Sequence, residues 1–435
     1  MLEKRNKGGI MVQAGLVFVV LLGFIFTGLP IYLSLILTTI VFMIGMGLPL
    51  NLVVIRMFGS VNSFSLMAIP FFVIAGNIMT KSNITDRIVD LSDALVGQLK
   101  GGLGHVNIIA SMFFGGIQGS GIADASAIGG MLIPAMEKQG YDKDYAVAVT
   151  AGSSMLSPII PPSIAFILYS YYTEVPVSKM FLGGVIPGVI LAALQMVWNR
   201  IEYSRRGYNI PTRKFSFKYL AKTAYRSIGA LIMPLIIIIG VVTGIVTATE
   251  AGVIAILYGL IYGFFISKGL KVSDLPKIFL DSCHTTGIIM ITIAAAGALS
   301  NVLVRMRFQA NVLDFVVNSI GNPYLGTAFL VFVIFILGMF LDPTVLIAML
   351  AATVLSIGKA FGFDPILYGV LITITMQLGA ITPPVGSFLF VACAIGKLPL
   401  EKSVKPMIPF IITVLIMVLI CFLIPQTVTF LPGLI

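Results

Sequence analysis

Two proline pairs inside long apolar stretches are the features of this sequence most able to do chemistry. Pro161-Pro162 lies in the stretch 143–172, and Pro383-Pro384 lies in the stretch 364–394. A proline inside a helix removes a backbone donor and clashes with the carbonyl four residues earlier. Each pair therefore predicts a discontinuous helix, whose free carbonyls and neighbouring hydroxyls are hard oxygen ligands for a small cation. The half-helix that follows each break points a positive end at an anion.

Two short segments could bring further oxygen atoms to these breaks. Residues 115–124 read GGIQGSGIAD, and residues 338–344 read GMFLDPT. Glycine permits tight reversals and close backbone approach, so both segments predict the tip of a helical hairpin. A shift of 222 residues superimposes Ser120 on Asp342, so each tip offers an oxygen at the same place. Asp342, which we place beside Thr382, is the strongest single candidate for contact with an ion or a substrate.

Four ionisable side chains lie within apolar stretches. They are Asp124, Glu250, Arg305 and Asp342. Such groups are expensive inside a membrane, so each is a hypothesis for a functional site. Three have alternatives: Asp124 could cap the return helix of its hairpin, and Glu250 could cap the start of its span. Arg305 could extend to the membrane surface or bind a substrate carboxylate with its planar fork.

The elements that must position these residues are membrane helices. The chain has 435 residues, of which 58% are hydrophobic and 10% charged, whereas soluble domains carry about 25% charged residues. Ten full spans are predicted, at 10–28, 30–49, 65–80, 143–172, 178–200, 228–246, 251–268, 283–303, 364–394 and 406–430. The stretches 104–137 and 324–360 are broken midway and predict re-entrant hairpins, whose irregular backbone must be satisfied by protein or a wet cavity. The fold class is an all-α polytopic membrane protein.

An internal repeat relates the two halves of the chain. The 222-residue shift lays 111–170 on 333–392 without a gap, and it superimposes both the Pro-Pro pairs and a Gly-aromatic-Asp turn. We predict a first repeat at 1–226, with a basic linker at 200–226, and a second repeat at 227–435. Five spans in each repeat, an odd number, make the repeats inverted and place the site near the midplane. A plain proline kink would explain one break, but two equivalent breaks favour a site.

Amphipathic and basic segments indicate how the helices lie in the membrane. Apolar residues at helical spacing in 83–100 predict an arm along the interface, and 214–227 and 307–320 show weaker versions of this pattern. Most of the 27 Lys and Arg residues fall in 81–105, 136–143, 200–226, 268–277 and 397–405, which places that side in the cytoplasm. Both termini are then periplasmic, although Lys4, Arg5 and Lys7 favour the opposite orientation.

Other classes of protein are disfavoured by what the sequence lacks. The basic residues sit in short segments between apolar stretches, so they indicate cytoplasmic loops and not a nucleic-acid surface. The three cysteines form no CxxC pair, and the two histidines lie far apart. HExxH and GxSxG motifs and a carboxylate dyad with a histidine are absent. The Gly-rich tip follows no strand and has no P-loop lysine, so nucleotide binding is not expected. We therefore expect no enzyme.

Several motifs resemble the large membrane subunit of tripartite ATP-independent periplasmic (TRAP) transporters. They are KGGLGHVN at 100–107, FFGGIQGSG at 113–121, ADASAI at 123–128, IPAM at 133–136, AVTAGSS at 148–154, PIIPP at 158–162, TEA at 249–251 and ITPPVG at 381–386. The resemblance extends through essentially the whole chain, and the two Pro-Pro motifs are its most specific part. The sequence departs from the family pattern at Gln118, Gln377 and Ala380.

The resemblance implies a sodium-coupled importer of the bacterial inner membrane. Its solute would be a carboxylate such as sialic acid or a C4-dicarboxylate, and it would use Na⁺ but neither ATP nor an organic cofactor. An elevator mechanism is implied, in which a transport domain carrying both hairpins slides against a scaffold in the lipid membrane. Two partners are implied as well: a small four-helix membrane subunit and a periplasmic solute-binding protein that delivers the solute.

The resemblance also assigns roles to individual residues. Sodium would be bound by Ser120 and Ser154 at one tip, and by Gly338, Asp342, Gly379 and Thr382 at the other. Substrate would lie between the tips and contact Ser120, Ser163, Asp342 and Arg305. Two alternatives stay open: a stand-alone sodium–carboxylate symporter of the same architecture, and an anion channel. A membrane-embedded enzyme is disfavoured by the missing catalytic residues.

Overall fold

The fold is that of an all-α membrane protein, as the composition predicted. A computed structural model describes residues 15–210 and 214–435, and within these ranges every regular element is helical. The basic residues Lys4, Arg5, Lys7 and Arg213 lie outside the described residues, as does the start of the span predicted at 10–28.

The helices of the first half of the chain include both arms of the first hairpin. They are α1 (Gly15–Phe26), α2 (Ile31–Gly45), α3 (Asn51–Val61), α4 (Ala68–Lys81), α5 (Ile84–Val96), α6 (Gly102–Gln118), α7 (Gly121–Lys138), α8 (Lys143–Ser153), α9 (Ile164–Thr173) and α10 (Val177–Arg205). A 3-10 turn at Ser154–Leu156 follows α8. The amphipathic segment predicted at 83–100 is helical as α5.

The second half contains a comparable series. Its helices are α11 (Phe217–Val242), α12 (Ala248–Ile261), α13 (Leu275–Arg305), α14 (Phe308–Asp314), α15 (Pro323–Gly338), α16 (Pro343–Ala360), α17 (Pro365–Leu378), α18 (Ser387–Gly396), α19 (Leu400–Leu423) and α20 (Gln426–Thr429). A 3-10 turn at Gly379–Ile381 follows α17, and π-helical turns at Tyr262–Ile266 and Phe315–Ile320 extend α12 and α14.

Six helices in the described chain are long and apolar enough to cross a membrane. They are α10, α11, α12 with its π-turn, α13, α16 and α19. Helices α3 and α4 are bent by 69° from each other and together have the length and composition of a broken span or a re-entrant loop. The chain is therefore an integral membrane protein. The prediction of ten full spans is corrected, because several predicted spans are short helices. For example, 30–49 contains only the 15-residue α2, which is shorter than the bilayer core at about 1.5 Å per residue.

The helix predicted at 65–80 is found with nearly these bounds, as a 3-10 turn at Ser65–Met67 that continues into α4, and it is bent by 69° from α3 at residues 62–64. Another boundary prediction was wrong for a local reason. The segment 214–227 does not form a separate interfacial helix but opens the long helix α11. Ser216 caps that helix by accepting a hydrogen bond from the Tyr219 amide at 3.3 Å, and the helix then continues to Val242.

The helix bounds recur at the spacing that the sequence repeat predicted. Helix α7 spans 121–138 and α16 spans 343–360, so their bounds differ by 222 residues at both ends. The starts of α8 and α17 differ by the same number, as do the cis peptide bonds of the two Pro-Pro pairs. The two halves therefore share one order of elements around the breaks. The inversion of one half relative to the other stays a prediction.

Each hairpin packs against a broken helix of the opposite half, which brings both breaks to the centre of the protein. Helix α7 contacts α18, and α16 contacts α9. The contact of α7 with α18 is close, because a Cβ at Gly121 would overlap the ring of Phe388. The two broken helices also contact each other, because Gly369 on α17 lies against the buried ring of Tyr169 on α9.

A charged cluster joins the end of α10 to the start of α8. Arg206 donates hydrogen bonds of 2.9 Å to Asp142, 2.9 and 3.1 Å to Asp144, and 2.8 Å to Glu202. Its guanidinium also lies 5.1 Å from the ring centroid of Tyr145. A hydrogen bond from Tyr208, together with the charge of Arg206, holds the pKa of Asp142 below its usual range. The cluster orders the loop that follows α10.

We expect Arg206→Met to destabilise the protein by roughly 1–3 kcal/mol, because three carboxylates would lose a shared, partly buried cation. Arg205→Met is the matched control, since the Arg205 side chain is 74% exposed and its ion pair with Glu202 is long, at 3.8 Å. Thermal unfolding of both variants in detergent is the measurement. An Arg206 variant as stable as the Arg205 variant would contradict this role for the cluster.

Candidate functional site

The first discontinuous helix breaks where the sequence predicted it. Helix α8 ends at Ser153, and α9 begins at Ile164 after the pair Pro161-Pro162. Ser163 caps α9, because its hydroxyl accepts from the Phe166 amide at 3.2 Å and donates to the Pro158 carbonyl at 2.6 Å. Ser163 thus joins the start of α9 to the backbone of the break.

The second discontinuous helix breaks at the equivalent place. Helix α17 ends at Leu378, and α18 begins at Ser387 beyond the pair Pro383-Pro384. Thr382 has extended backbone, and its hydroxyl donates to the Leu378 carbonyl at 2.9 Å. Gly386 turns the chain into α18 with a positive φ of 33°, which favours glycine. Both predicted breaks are therefore confirmed.

Each hairpin tip is bonded to the break of its own half through the backbone. The Ile164 amide donates to the Gly119 carbonyl at 3.4 Å, and the Val385 amide donates to the Met339 carbonyl at 3.1 Å. Glycine allows this approach: a Cβ at Gly119 would overlap the carbonyl of Pro162, and one at Gly379 would overlap the backbone of Gly338. Two of the predicted sodium ligands, Gly338 and Gly379, are thus in direct contact.

We expect Gly379→Ala to destabilise the protein by roughly 1–3 kcal/mol, the usual cost of overpacking. The added methyl meets backbone atoms of Gly338, so no flexible side chain can move away from it. Gly130→Ala is the control, because a Cβ there has open space within helix α7. Thermal unfolding of both variants is compared, and equal melting of Gly379→Ala and wild type would refute the tight packing.

Asp124 is the most unusual charged group of the site. Its side chain is fully buried, and three hydroxyls lie close to the carboxylate without reaching good hydrogen-bond geometry with either of its oxygens. Ser111, Ser154 and Ser157 are its hydroxyl neighbours. Two of these hydroxyls use their protons elsewhere: Ser111 donates to Ser153 at 3.1 Å, and Ser154 donates to the Thr150 carbonyl at 2.8 Å. The hydroxyl oxygens of Ser111 and Ser154 can therefore act towards a neighbouring group only as acceptors, as the carboxylate does.

The alternative that Asp124 caps α7 is wrong. Ser120 occupies the N-cap, and its hydroxyl is 3.5 Å from the Ala123 amide. Asp124 instead points into a buried polar group of side chains, which we call the serine nest: Asn107, Ser111, Asp124, Thr150, Ser153, Ser154 and Ser157. Of these, only Asp124 and Ser154 received individual roles from the sequence, and Ser153 and Ser157 were among the hydroxyls expected beside the break. Polar residues at helical spacing on α6 and α8 were the signal that could have found the others.

The chemistry of the serine nest suits a hard cation. It contains one carboxylate together with hydroxyl and amide oxygens, and a buried charge without a partner is costly. The Asp124 oxygens and the Ser157 hydroxyl would both be satisfied by a small cation between them. No group of three His, Cys, Asp or Glu side chains that could hold a metal is found in the described residues. The oxygen set therefore suits a small, hard cation.

Two adjoining cavities lie between the hairpin tips and helices α4 and α13. The first has a volume of about 410 Å³ and is lined by Ser120, Asp342, Thr344 and Gln377, among others. The N-terminal residues of α7, α9 and α16 also line it. The Asp342 carboxylate caps α16, so the ends of α7 and α9 are the two that favour an anion. The second cavity, of about 650 Å³, shares Ser120 and Ile164 with the first.

The sequence also matches a known protein family over most of its length. Residues 18–427 match the family model of the DctM component of tripartite ATP-independent periplasmic transporters. The chain belongs to this family. A DctM component is part of a transporter, so the expectation that the chain is not an enzyme is confirmed.

Relatives within the family are named for different solutes. The chain is 32% identical to the sialic acid TRAP transporter permease SiaT of Haemophilus influenzae, over 94% of this chain and 66% of that longer protein. It is also 32% identical to the 2,3-diketo-L-gulonate TRAP transporter large permease YiaN of Escherichia coli, over 93% of this chain and 96% of that one. Equal identity to both means that similarity alone does not select the solute.

A solved structure shares the fold at low sequence identity. The YdaH transporter of Alcanivorax borkumensis superimposes with a TM-score of 0.53 over 85% of this chain and 87% of that one. The two sequences are 11% identical, so the likeness concerns the fold alone.

The predicted site residues of this DctM component are only partly brought together. Ser120 and Asp342 both line the first cavity, as the substrate prediction requires. Asp342 also caps α16, because its carboxylate accepts from the Thr344 amide at 2.9 Å and hydroxyl at 2.6 Å. The Ser163 hydroxyl is engaged at the start of α9 and is not among the residues lining either cavity.

Two other charged candidates lie away from the cavities. Arg305 is exposed, lines neither cavity, and donates from Nε to the Asn301 side chain at 3.1 Å. Glu250 closes a capping box, in which it accepts from the Thr247 amide at 2.7 Å while its own amide donates to the Thr247 hydroxyl. The capping interpretation of Glu250 is therefore confirmed.

Proposed function

We propose that this chain is the large membrane subunit of a sodium-coupled importer, which moves a carboxylated solute across the bacterial inner membrane. The observation that carries this proposal is the buried Asp124 carboxylate, which lies among serine hydroxyls without a good hydrogen bond to any of them, close to the first broken helix. Family membership supplies the transport role, and names of relatives supply carboxylates as the class of solute. Sodium as the coupling ion is the addition made here.

Two sodium sites are proposed, one in each half. The first is the serine nest, where Ser154 and Asp124 would contribute oxygens. Ser120, at the hairpin tip, would bind the solute and would also contribute an oxygen at the edge of this sodium site. The second lies where Gly338 meets Gly379, with the carbonyl groups of the break and Thr382 nearby. Asp342 lines the cavity next to it and would contact the ion, the solute or both.

Coupling follows from charge balance in a low-dielectric site. Carrying a carboxylate through the membrane is costly unless nearby cations and helix ends offset its charge. Each proposed sodium site belongs to a hairpin whose tip lines the first cavity, through Ser120 in one half and Asp342 in the other. Sodium ions in both sites would therefore make the loaded state favourable to carry, whereas a half-loaded state would retain an uncompensated charge.

We propose an elevator movement for the transport step. Each hairpin contacts a broken helix of the opposite half, so hairpins and breaks form one packed block. Helix α4 contacts both α12 and α13, and we assign these three helices to the scaffold. The block would slide against this scaffold and carry the solute from the periplasmic side to the cytoplasmic side.

Two partners complete the proposed transporter. The family description is tripartite, which supports a small four-helix membrane subunit and a periplasmic solute-binding protein. The distribution of Lys and Arg supports periplasmic termini for this chain. Substrate choice would begin at the binding protein and be checked again at the cavity.

The experiment that tests the proposal is solute uptake into proteoliposomes that contain both membrane subunits. Uptake of a labelled carboxylate should require the binding protein and an inward sodium gradient, and should stop when choline replaces sodium. Uptake without the binding protein would favour a stand-alone symporter. A sodium-independent ionic current, measured electrically, would instead favour an anion channel. Uptake at full rate in choline would overturn sodium coupling.

A further inference from the structure

A cleft beside α10 carries positive charge without a counter-charge. It has a volume of about 590 Å³ and lies between the start of α6 and the C-terminal part of α10. Lys100 and Arg200 line it, and no Asp or Glu is among its described lining residues. Neither cationic side chain forms an ion pair within the described part of the chain. The cleft therefore offers two exposed cations to an anion from outside the chain.

Another charged cavity near the end of α10 differs in this respect. Four cationic side chains line it, but Asp144, Glu202 and Glu401 line it as well. Arg206, one of the four, already donates hydrogen bonds to carboxylates. Positive charge on this side of the protein is therefore neutralised in one place and left free in the other.

The backbone of Lys100 is held against both helices of the cleft. Asn199 on α10 donates from Nδ2 to the Gly101 carbonyl at 3.1 Å, and Nε2 of His105 on α6 lies 3.2 Å from the Lys100 carbonyl. Gly101 has a positive φ of 99°, which favours glycine, and a Cβ at Gly104 would overlap the Asn199 side chain. These contacts fix the place of Lys100 at the edge of the cleft.

His105 brings a buried polar atom to the same cleft. Its side chain lines the cleft and is only 3% exposed, and its Nδ1 has no hydrogen-bond partner in the described chain. A carbonyl can only accept, so Nε2 carries the proton in its contact with Lys100, and Nδ1 of the neutral ring is an acceptor. A buried acceptor without a partner is costly, so this atom favours a ligand that brings a donor.

An exposed apolar stripe on α10 leads from the cleft towards the middle of the membrane. It consists of residues at intervals of four, all of them exposed: Val189, Ala193, Val197 and Ile201. The stripe is about 18 Å long at about 1.5 Å per residue, which is slightly more than half of a bilayer core of about 30 Å. Because α10 is long and apolar enough to cross the membrane, the stripe matches one acyl chain of a single leaflet.

We propose that this cleft binds an anionic phospholipid of the phosphatidylglycerol class. The phosphate lies between Lys100 and Arg200, a head-group hydroxyl donates to His105, and an acyl chain follows the apolar stripe. Basic pockets between membrane helices suit anionic head groups. Extension of two basic side chains to the membrane surface would explain the cations alone, but not the buried acceptor beside them. The inference concerns a lipid and does not depend on sodium coupling.

The first test compares lipids that share their acyl chains. This chain, purified in detergent with the small membrane subunit, is melted with dioctanoyl phosphatidylglycerol, phosphatidylethanol or phosphatidylcholine, or with inorganic phosphate. Phosphatidylethanol has the charge of phosphatidylglycerol without its head-group hydroxyls, and phosphatidylcholine has no net charge. Half-maximal stabilisation by phosphatidylglycerol should need roughly tenfold less lipid than phosphatidylcholine and roughly threefold less than phosphatidylethanol.

Each of the other probes has an outcome that would overturn part of the inference. Equal stabilisation by phosphatidylglycerol and phosphatidylcholine would overturn the anion site. Inorganic phosphate that acts at the same concentration as phosphatidylglycerol would show that the acyl chain adds nothing, and would overturn the assignment to a lipid. Equal action of phosphatidylethanol would contradict the hydroxyl contact with His105.

The second test removes the two cations. Lys100→Gln combined with Arg200→Gln should raise the half-maximal concentration of phosphatidylglycerol roughly tenfold to thirtyfold. Lys402→Gln combined with Lys405→Gln is the matched control, because it removes the same charge from exposed positions in the cavity that has its own carboxylates. This control should respond like wild type. Arg200→Gln alone replaces the first double variant if that variant does not fold.

Two results of this second test would overturn the inference. An unchanged response in the Lys100 and Arg200 variant would remove the cleft as the binding site. An equal loss in both double variants would mean that the net charge of the protein attracts the lipid, without a defined site.

Discussion

Replacing Asp124 with Asn should abolish sodium-dependent uptake and weaken the stabilisation of the protein by sodium. The wild-type carboxylate is fully buried and forms no hydrogen bond of good geometry with the described residues. A sodium ion that binds only the folded protein stabilises it by about 2.7 kcal/mol at one hundred times its dissociation constant. The variant should lose the part of this effect that belongs to the serine nest, and uptake should fall by at least tenfold. The measurements are uptake and thermal unfolding in NaCl and in choline chloride.

The sign of the effect without sodium distinguishes an ion site from a structural role. A neutral amide in place of an uncompensated charge lowers the cost of burial. Asp124→Asn should therefore melt no lower than wild type in choline chloride, although its sodium response is weaker. Glu250→Gln is the matched control, because it removes one acidic charge from an exposed capping box in which glutamine still serves. A full sodium response in Asp124→Asn would contradict the first sodium site.

Asp342→Ala should abolish sodium-dependent uptake in proteoliposomes that contain the small subunit and the binding protein. The substitution removes a carboxylate that lines the first cavity and that also caps α16 through Thr344. Loss of the cap alone should cost roughly 1 kcal/mol of stability, which is too little to stop transport. The measurement is initial uptake in an inward sodium gradient, compared with wild type at equal protein content.

Two further variants separate capping from chemistry. Asp342→Asn keeps an oxygen that can cap α16 but loses the charge, so it should fold like wild type and still fail to transport. Asp364→Ala removes an equivalent cap from α17, where Asp364 accepts from the Ile366 and Leu367 amides at 2.8 and 3.0 Å. Asp364 is exposed and lines neither cavity, so this control should keep its uptake. Wild-type uptake in Asp342→Ala would refute the role proposed for this carboxylate.

The residues that local chain geometry governs were predictable from the sequence. Proline inside an apolar helix breaks it because of its own ring, so the breaks near Pro161 and Pro383 were found without any tertiary information. The hairpin tip at Gly119 followed in the same way, since a tight reversal requires glycine. A cap at Glu250 was one of the two interpretations offered by the sequence. It could be foreseen because the capping box joins residues only three positions apart.

Span lengths were less predictable, because apolar composition does not show where a helix turns. The stretch 65–80 has the hydropathy of a span, yet it forms one arm of a helix pair bent by 69°. The stretch 214–227 has an amphipathic pattern, yet it continues into α11. In both cases the neighbouring segment decides whether the helix ends, and hydrophobic period alone does not contain that information.

The sequence by itself determined the membrane class, the two breaks, the hairpin tips and the family to which the chain belongs. Only the tertiary structure decided which side chains meet at the site. It turned Asp124 away from its own helix end into the serine nest, placed Gln118 against Thr80, and left Arg305 outside both cavities. The physical reason is range: steric rules for proline and glycine act within a few residues, whereas these contacts join helices that are far apart in the chain.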